Sequence, residues 1–324
     1  MTIFDLMQSV ELVAYWEELT QDEAPYPCEE LFPDDKKRGI SLKWIKGSKG
    51  LPVVLKTSAF DVHAIPRARI GFDKLTAEMP YFKESTYIDS VMNKIFDDET
   101  RLLRGAAASR ERMRMMALTT GIISMAANGQ SFTFDYGVTH KGNAAVAWSD
   151  HANSDPIEDI RVAKEAIQDE TGAVITRAMC DGATWRNIRN NDKIKKAIFV
   201  LTNGAGAISD KQLRQYIMDE LEIDVMVNDK RYKDENEQTA KFMPANTFVM
   251  FPDGDLGKTW FGTTPAESDL MSGSVANVSI TDTGVAVTTV QKADPVQVET
   301  IVSMICLPSF EAADQVYILD TTVA

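Results

Sequence analysis

Three cysteines and three histidines in 324 residues leave little for redox or metal chemistry to work with. Cys28, Cys180 and Cys306 are odd in number and fall in no metal-like spacing. They exclude a disulfide framework and read as buried thiols in a reducing compartment. His63, His140 and His151 have no mutual spacing that would make a metal pair or a general base. No run of eighteen apolar residues exists, so no membrane-spanning helix is expected. The first stretch, MTIFDLMQSVELVAYWEEL, is acidic and lacks the basic region of a signal peptide. G-x-S-x-G, Walker, H-E-x-x-H and C-x-x-C patterns are all missing. Gly204-Ala205-Gly206 lacks the third glycine and the helix entry of a phosphate loop. Asp253-Gly254-Asp255 lacks the later acids of a calcium loop and reads as a turn. No catalytic residue, cofactor site or metal site is therefore assigned.

What the chain does have is an uneven distribution of charge. It carries 48 acidic and 34 basic side chains, a net −14 that argues against gripping nucleic acid in a sequence-specific way. Between Lys36 and Lys74 the balance inverts, with ten basic residues against Asp61 and Asp73. After Lys292 no Lys or Arg occurs at all. A positive arm is attached to a negative body.

The most ordered pattern runs from Asp97 to Gly129. Asp97, Asp98 and Glu99 suit the positive end of a helix dipole. Asn128-Gly129 suits a left-handed stop after the last turn. Between them, Leu102, Ala106, Met113, Met116, Ala117, Ile123 and Ala127 recur at helical spacing. This predicts a helix over 97–128, about 45 Å long, with Leu102, Met113, Met116 and Ile123 facing the core. The arginines from Arg101 to Arg114 are expected mostly to point elsewhere.

Before it, residues 2–20 read as an amphipathic helix, and 23–33, with Pro25, Pro27 and Pro33, as an extended arm. ISLKWIKGSKGLPVVL alternates around Gly47-Ser48-Lys49-Gly50 and reads as a β-hairpin; residues 59–82 stay extended. So polar a two-stranded excursion needs a partner surface. After the helix, QSFTFDYG and AAVAW are expected to form a second hairpin. Asp155-Pro156-Ile157-Glu158 opens a helix that stops at Thr171-Gly172. Strand AVITRAM, helices near 184–190 and 192–199, and a capped helix from Ser209 to Leu221 follow, then strands IDVMVN and TFVMF. Residues 151–260 thus make a mixed α/β unit. VSI, VAVTTV, VETIVSMICL and VYIL close the chain in a sheet.

In order and spacing these segments resemble the tailed-phage major capsid proteins of the lambda type, the capsid protein E family. The matching pieces are Leu31-Phe32-Pro33, the basic hairpin, Gly71, the long helix and its hairpin, Trp148-Ser149-Asp150 with Asp155-Pro156-Ile157, TWFGTTPAE, and DPVQVETIVSMICLPSFEAADQVYIL. The resemblance implies an α+β, HK97-like shell fold. Its divisions here would be an N-terminal arm (1–33), an E-loop (34–80), a P-domain with the spine helix (81–150), an A-domain (151–285) and a return to the P-domain sheet (286–324). It further implies a non-catalytic head protein that self-assembles as hexamers and pentamers around the genome. The E-loop would lie on the adjacent subunit, with Lys43, Lys46 and Lys49 as contact candidates. Scaffolding and portal proteins, with a decoration protein as a further candidate, are the implied partners, with no membrane. The implied location is the virion, after assembly in the host cytoplasm. The competing readings are an encapsulin-like compartment shell and an α/β enzyme with an unrecognised site.

Overall fold

The longest element is a helix that starts earlier and ends sooner than the charge pattern suggests. The computed structural model describes residues 26–34, 54–60, 84–127, 130–200, 206–233, 238–262, 277–280, 285–293 and 296–323. The expected helix at 2–20, the hairpin centred on Gly47–Gly50 and the 61–82 stretch lie outside them. Helix α1 spans Glu84–Thr120, 37 residues and about 55 Å. Its start precedes Asp97 because nothing between Pro80 and that acidic triplet breaks a helix; the triplet is interior. It stops at Thr120 because Gly121 takes a left-handed turn (φ 72°) and gives its N–H to Ala117 O at 2.9 Å. Thr120 Oγ1 donates back to Met116 O and accepts the Ile122 N–H, which turns the chain into an extended run.

Ile122–Ala127 is therefore strand β2 rather than the end of the helix, and Ile123 is a buried strand residue. A helix through 128 would have needed the β-branched Ile122-Ile123 pair to continue past Gly121. Gly121→Ala should cost about 2–3 kcal/mol, since a Cβ there meets Val138 Cγ2 at 2.7 Å in a backbone region that L residues disfavour. A urea-unfolding midpoint unchanged from wild type in dissociated subunits would contradict that placement.

β2 pairs antiparallel with β3 (Gln130–Asp135). The expected partner of β3, AAVAW, is not a strand. Lys141–Asn143 forms β4 instead, and Ala144 and Trp148 give their N–H groups to Asp320 O and Thr321 O. Once the helix ended at Gly121, a nearer and better-matched strand was available to β3.

Beneath α1 lies a sheet in the order β1-β13-β12-β11, from β1 (Val54–Phe60), β11 (Asn277–Ile280), β12 (Val285–Ala293) and β13 (Val296–Pro308). β13 pairs with β1 and β12 over its first part and with β10 (Thr259–Gly262) over its last. Helix α1 packs on β13 and β1.

The second sheet runs β4-β14-β9-β5-β6, with β5 (Ile175–Cys180), β6 (Asp224–Val227), β9 (Thr247–Pro252) and β14 (Tyr317–Asp320). The chain's last strand thus enters the sheet of the middle segment, parallel to β4 and antiparallel to β9. Around it stand α2 (Pro156–Thr171), α3 (Gly182–Asn190), α4 (Asp192–Ile198) and α5 (Asp210–Leu221). Their ends carry the expected signals: Asp155 accepts from Glu158 N, Gly172 closes α2 at φ 72°, and Ser209 with Gln212 forms a reciprocal capping box. Ile157, Ile160, Ala163 and Ile167 face inward, as the period requires.

This sheet is covered on both sides, which explains the unbroken apolar run of β9. Phe248 and Met250 join the core under α2–α5; Val249 and Phe251 join the core around α1. A small hairpin, β7 (Arg231–Lys233) with β8 (Thr239–Lys241), rises from the charged loop.

Candidate functional site at the root of the basic stretch

The basic stretch leaves the described structure at Asp34 and returns at Val54, both tied to the α1 layer. Residues 26–34 are a tight turn rather than the extended arm expected from the prolines. Glu29 N donates to Tyr26 O and Phe32 N to Cys28 O, because Cys28, Leu31 and Phe32 are wholly buried and the turn brings all three inward. Leu256 N donates to Leu31 O, Thr259 N to Pro33 O, and Thr259 Oγ1 to Phe32 O at 2.9 Å. Val54, at the other root, pairs with Met304 of β13. Lys43, Lys46 and Lys49 themselves lie outside the described residues.

Asp34 is held from above by two arginines of α1. Arg110 Nη1 donates to its Oδ2 at 3.1 Å and Arg114 Nη2 to its Oδ1 at 2.5 Å. Arg114 Nε also donates to Thr259 Oγ1 at 3.0 Å. Sequence reasoning turned these arginines away from the core, whereas Arg110 is 8% and Arg114 2% exposed. A signal existed: Ala106, Arg110, Met113, Arg114 and Ala117 stand on one stripe of three- and four-residue steps. Charge was read as exposure, and a partner 76 residues away overruled it.

Beneath this pair sits Glu111, fully buried. Its Oε1 accepts the Cys28 N–H at 3.0 Å, and Arg114 Nη1 is 4.0 Å from its Oε2. Burial pushes its carboxyl up to about 7, against the opposing pull of the Cys28 N–H and Arg114. The β7–β8 hairpin closes the turn from the side: Tyr26 packs edge-on against Phe242 and Arg112 lies over Tyr232 at 5.1 Å.

Leu102 and Met113 are buried on α1, while Met116 is only half-buried against the same core. A second charged knot joins α3 to the β7–β8 hairpin: Lys241 Nζ donates to Asp181 Oδ2 at 3.0 Å and Asp229 Oδ1 at 2.9 Å. Burial alone would raise Asp181, but hydrogen bonds from Thr184 and Lys241 outweigh it and hold it below the usual carboxylate range. Both features tie elements together. The three cysteines are buried and form no disulfide, Cys28 Sγ donating to Met115 Sδ and Cys306 being pushed up to about 12 by burial. His140 stacks on Tyr317 and His151 approaches Asn187. Among the described residues no group of His, Cys, Asp or Glu is arranged to hold a metal ion. No helix there is long and apolar enough to cross a membrane.

The architecture is thus a long helix over one sheet, a mixed α/β unit whose sheet separates two cores, and a basic stretch rooted at Asp34 and Val54. The chain is similar to a protein assigned as a prophage capsid protein of E. coli CFT073, with 14% identity, a TM-score of 0.63, and 96% of this chain and 97% of that one covered. It is likewise similar to a phage-related protein of Bordetella bronchiseptica RB50, with 13% identity, a TM-score of 0.54, and 95% and 96% covered. The fold is that of the HK97-like phage capsid proteins.

Residues 56–321 match the family described as phage major capsid protein E, and the chain belongs to that family. No curated protein matches it. The chain is accordingly a structural subunit that associates with copies of itself to form the shell of a virion.

Proposed function

We propose that the subunit builds an icosahedral head from hexamers and pentamers, without catalysis, by laying its basic 34–80 loop on a neighbouring subunit. The observation that carries this reading is the anchoring of the loop at its start and again partway along. Its first residue, Asp34, is clamped by Arg110 and Arg114, and Val54–Phe60 is built into the sheet beside β13. An arm held rigidly at its base can transmit force to whatever its tip binds. The charge balance supports an acidic acceptor, for which the carboxylates after Lys292 and the Asp97–Glu99 triplet are the candidates.

The domain division follows the same logic. Residues 1–33 are the arm, 81–150 and 286–324 mainly the P-domain, and 151–285 mainly the A-domain, except that β4 and β14 cross into the middle sheet and β10 and β11 into the sheet under α1. Scaffolding and portal proteins complete the head in the host cytoplasm, and a decoration protein is a further candidate partner. Each exposed ion pair contributes only about 0–1 kcal/mol. Repeated around a shell these add, and a Debye length of about 8 Å makes them salt-sensitive.

Lys43→Glu/Lys46→Glu/Lys49→Glu should therefore stay folded yet yield few particles by light scattering and electron microscopy. Wild-type particles should lose denaturant resistance at high salt. A triple variant with normal particle yield would turn the basic loop into a merely solvated face.

A further inference from the structure

The root of the arm contains a group that its packing leaves unsatisfied. Glu111 Oε1 accepts the Cys28 N–H, but Oε2 is buried with no hydrogen-bond partner. Arg114 stands 4.0 Å from it, yet directs its short bonds to Asp34 and Thr259. The other charged groups around Glu111 are Glu29 from the 26–34 turn and Lys230 from the turn after β6, with the Cys28 thiol beside it. Asp34, paired with both Arg110 and Arg114, lies on the far side of Arg114's guanidinium contacts. A carboxylate in such a place is undercompensated: the Cys28 N–H and Arg114 favour its charge, but burial outweighs them, and a proton removes the charge whose burial is costly.

We propose that Glu111 is a proton-operated clasp on the 26–34 turn, gripping it when protonated and loosening it when ionised. The turn carries the chain before Tyr26 on one side and the basic stretch after Asp34 on the other, so one proton sets how firmly both are rooted. This goes beyond shell building and does not require it, since the clasp lies within one subunit.

The sign follows from burial. The carboxyl is raised from 4.5 to about 7, so its contribution to anchoring is complete below about pH 4.5. It declines as the pH rises from there to about 7 and is constant above. Mild acid tightens the root.

Hydrogen exchange of the full-length subunit, read on peptides containing Cys28 and Phe32 across pH 5 to 8.5, tests this directly. In wild type the protection factor should fall on the order of 50-fold between pH 5 and pH 8. In Glu111→Gln it should stay level, because the amide oxygen still accepts the Cys28 N–H and cannot ionise. Parallel profiles in the two proteins would overturn the clasp. Carbon-13 titration of the Glu111 carboxyl in wild type decides the matter without any variant: a midpoint near 7 supports it and one below about 5 refutes it. Failure to form particles at any pH would count against the shell reading alone, since the exchange measurement needs only the subunit.

Discussion

Met113→Asp should leave no particles and a largely insoluble chain. Met113 is 2% exposed and sits where α1 crosses the first core, among Leu102, Ala106 and Ala117. Replacing it removes a buried thioether, worth about 2–5 kcal/mol with its cavity, and puts a carboxylate into an apolar core. Even if the new acid binds a proton to escape its charge, the sum rivals the whole stability of a typical domain, about 5–15 kcal/mol. Met116→Asp is the informative comparison. Met116 is half-buried, so its carboxylate can turn toward water, and the expected loss is about half as large. Soluble yield and urea midpoints of the two variants check this order. Equal damage from both would mean that α1 turns Met116 as far into the core as Met113.

Arg114→Ala should cost about 3–5 kcal/mol, more than Arg110→Ala. Arg114 is the more buried of the two and alone bridges Asp34 to Thr259. Its loss removes one of the two α1 arginines that hold Asp34 and deprives Glu111 of a cation. Arg110→Ala leaves the 2.5 Å contact between Arg114 and Asp34 in place and should cost roughly half as much. A double-mutant cycle with Asp34→Asn isolates the pair, and a coupling energy of at least about 1.5 kcal/mol is expected. Coupling near zero would mean that the pair merely sits close in space. Because the basic stretch begins at Lys36, two residues past Asp34, Arg114→Ala should also lower particle yield at temperatures where the subunit is still folded.

The helices of the middle segment were legible from short-range chemistry. Asp155-Pro156, Ser209 with Gln212 and Gly172 mark their ends through bonds made within four residues, and no distant partner changes that. The strands VSI, VAVTTV and TFVMF were legible for a similar reason, since β-branched and aromatic runs have few other uses. The failures share a different cause. Asp97 to Glu99 looked like a helix start because an acidic triplet suits one, but the dipole's preference of under about 1 kcal/mol does not stop a helix from beginning thirteen residues earlier. Asn128-Gly129 looked like a helix stop, yet the helix ends at Gly121. Both glycines allow a turn; Val138 against Gly121 and the pairing of β2 with β3 decided which one ends the helix.

By itself, the sequence determined the class of building material: apolar stripes, caps, a basic excursion on an acidic chain, and too few thiols and imidazoles for metal or disulfide work. The order of those pieces was enough to point to a capsid shell subunit. Only the tertiary structure decided which charges are inside. Arg110, Glu111 and Arg114 are polar letters on an apolar stripe, and local chemistry sends such letters to water. Asp34, Cys28 and Thr259 come from 76 or more residues away to meet them. Burial of a charge depends on whether a partner arrives, and that is settled by the fold.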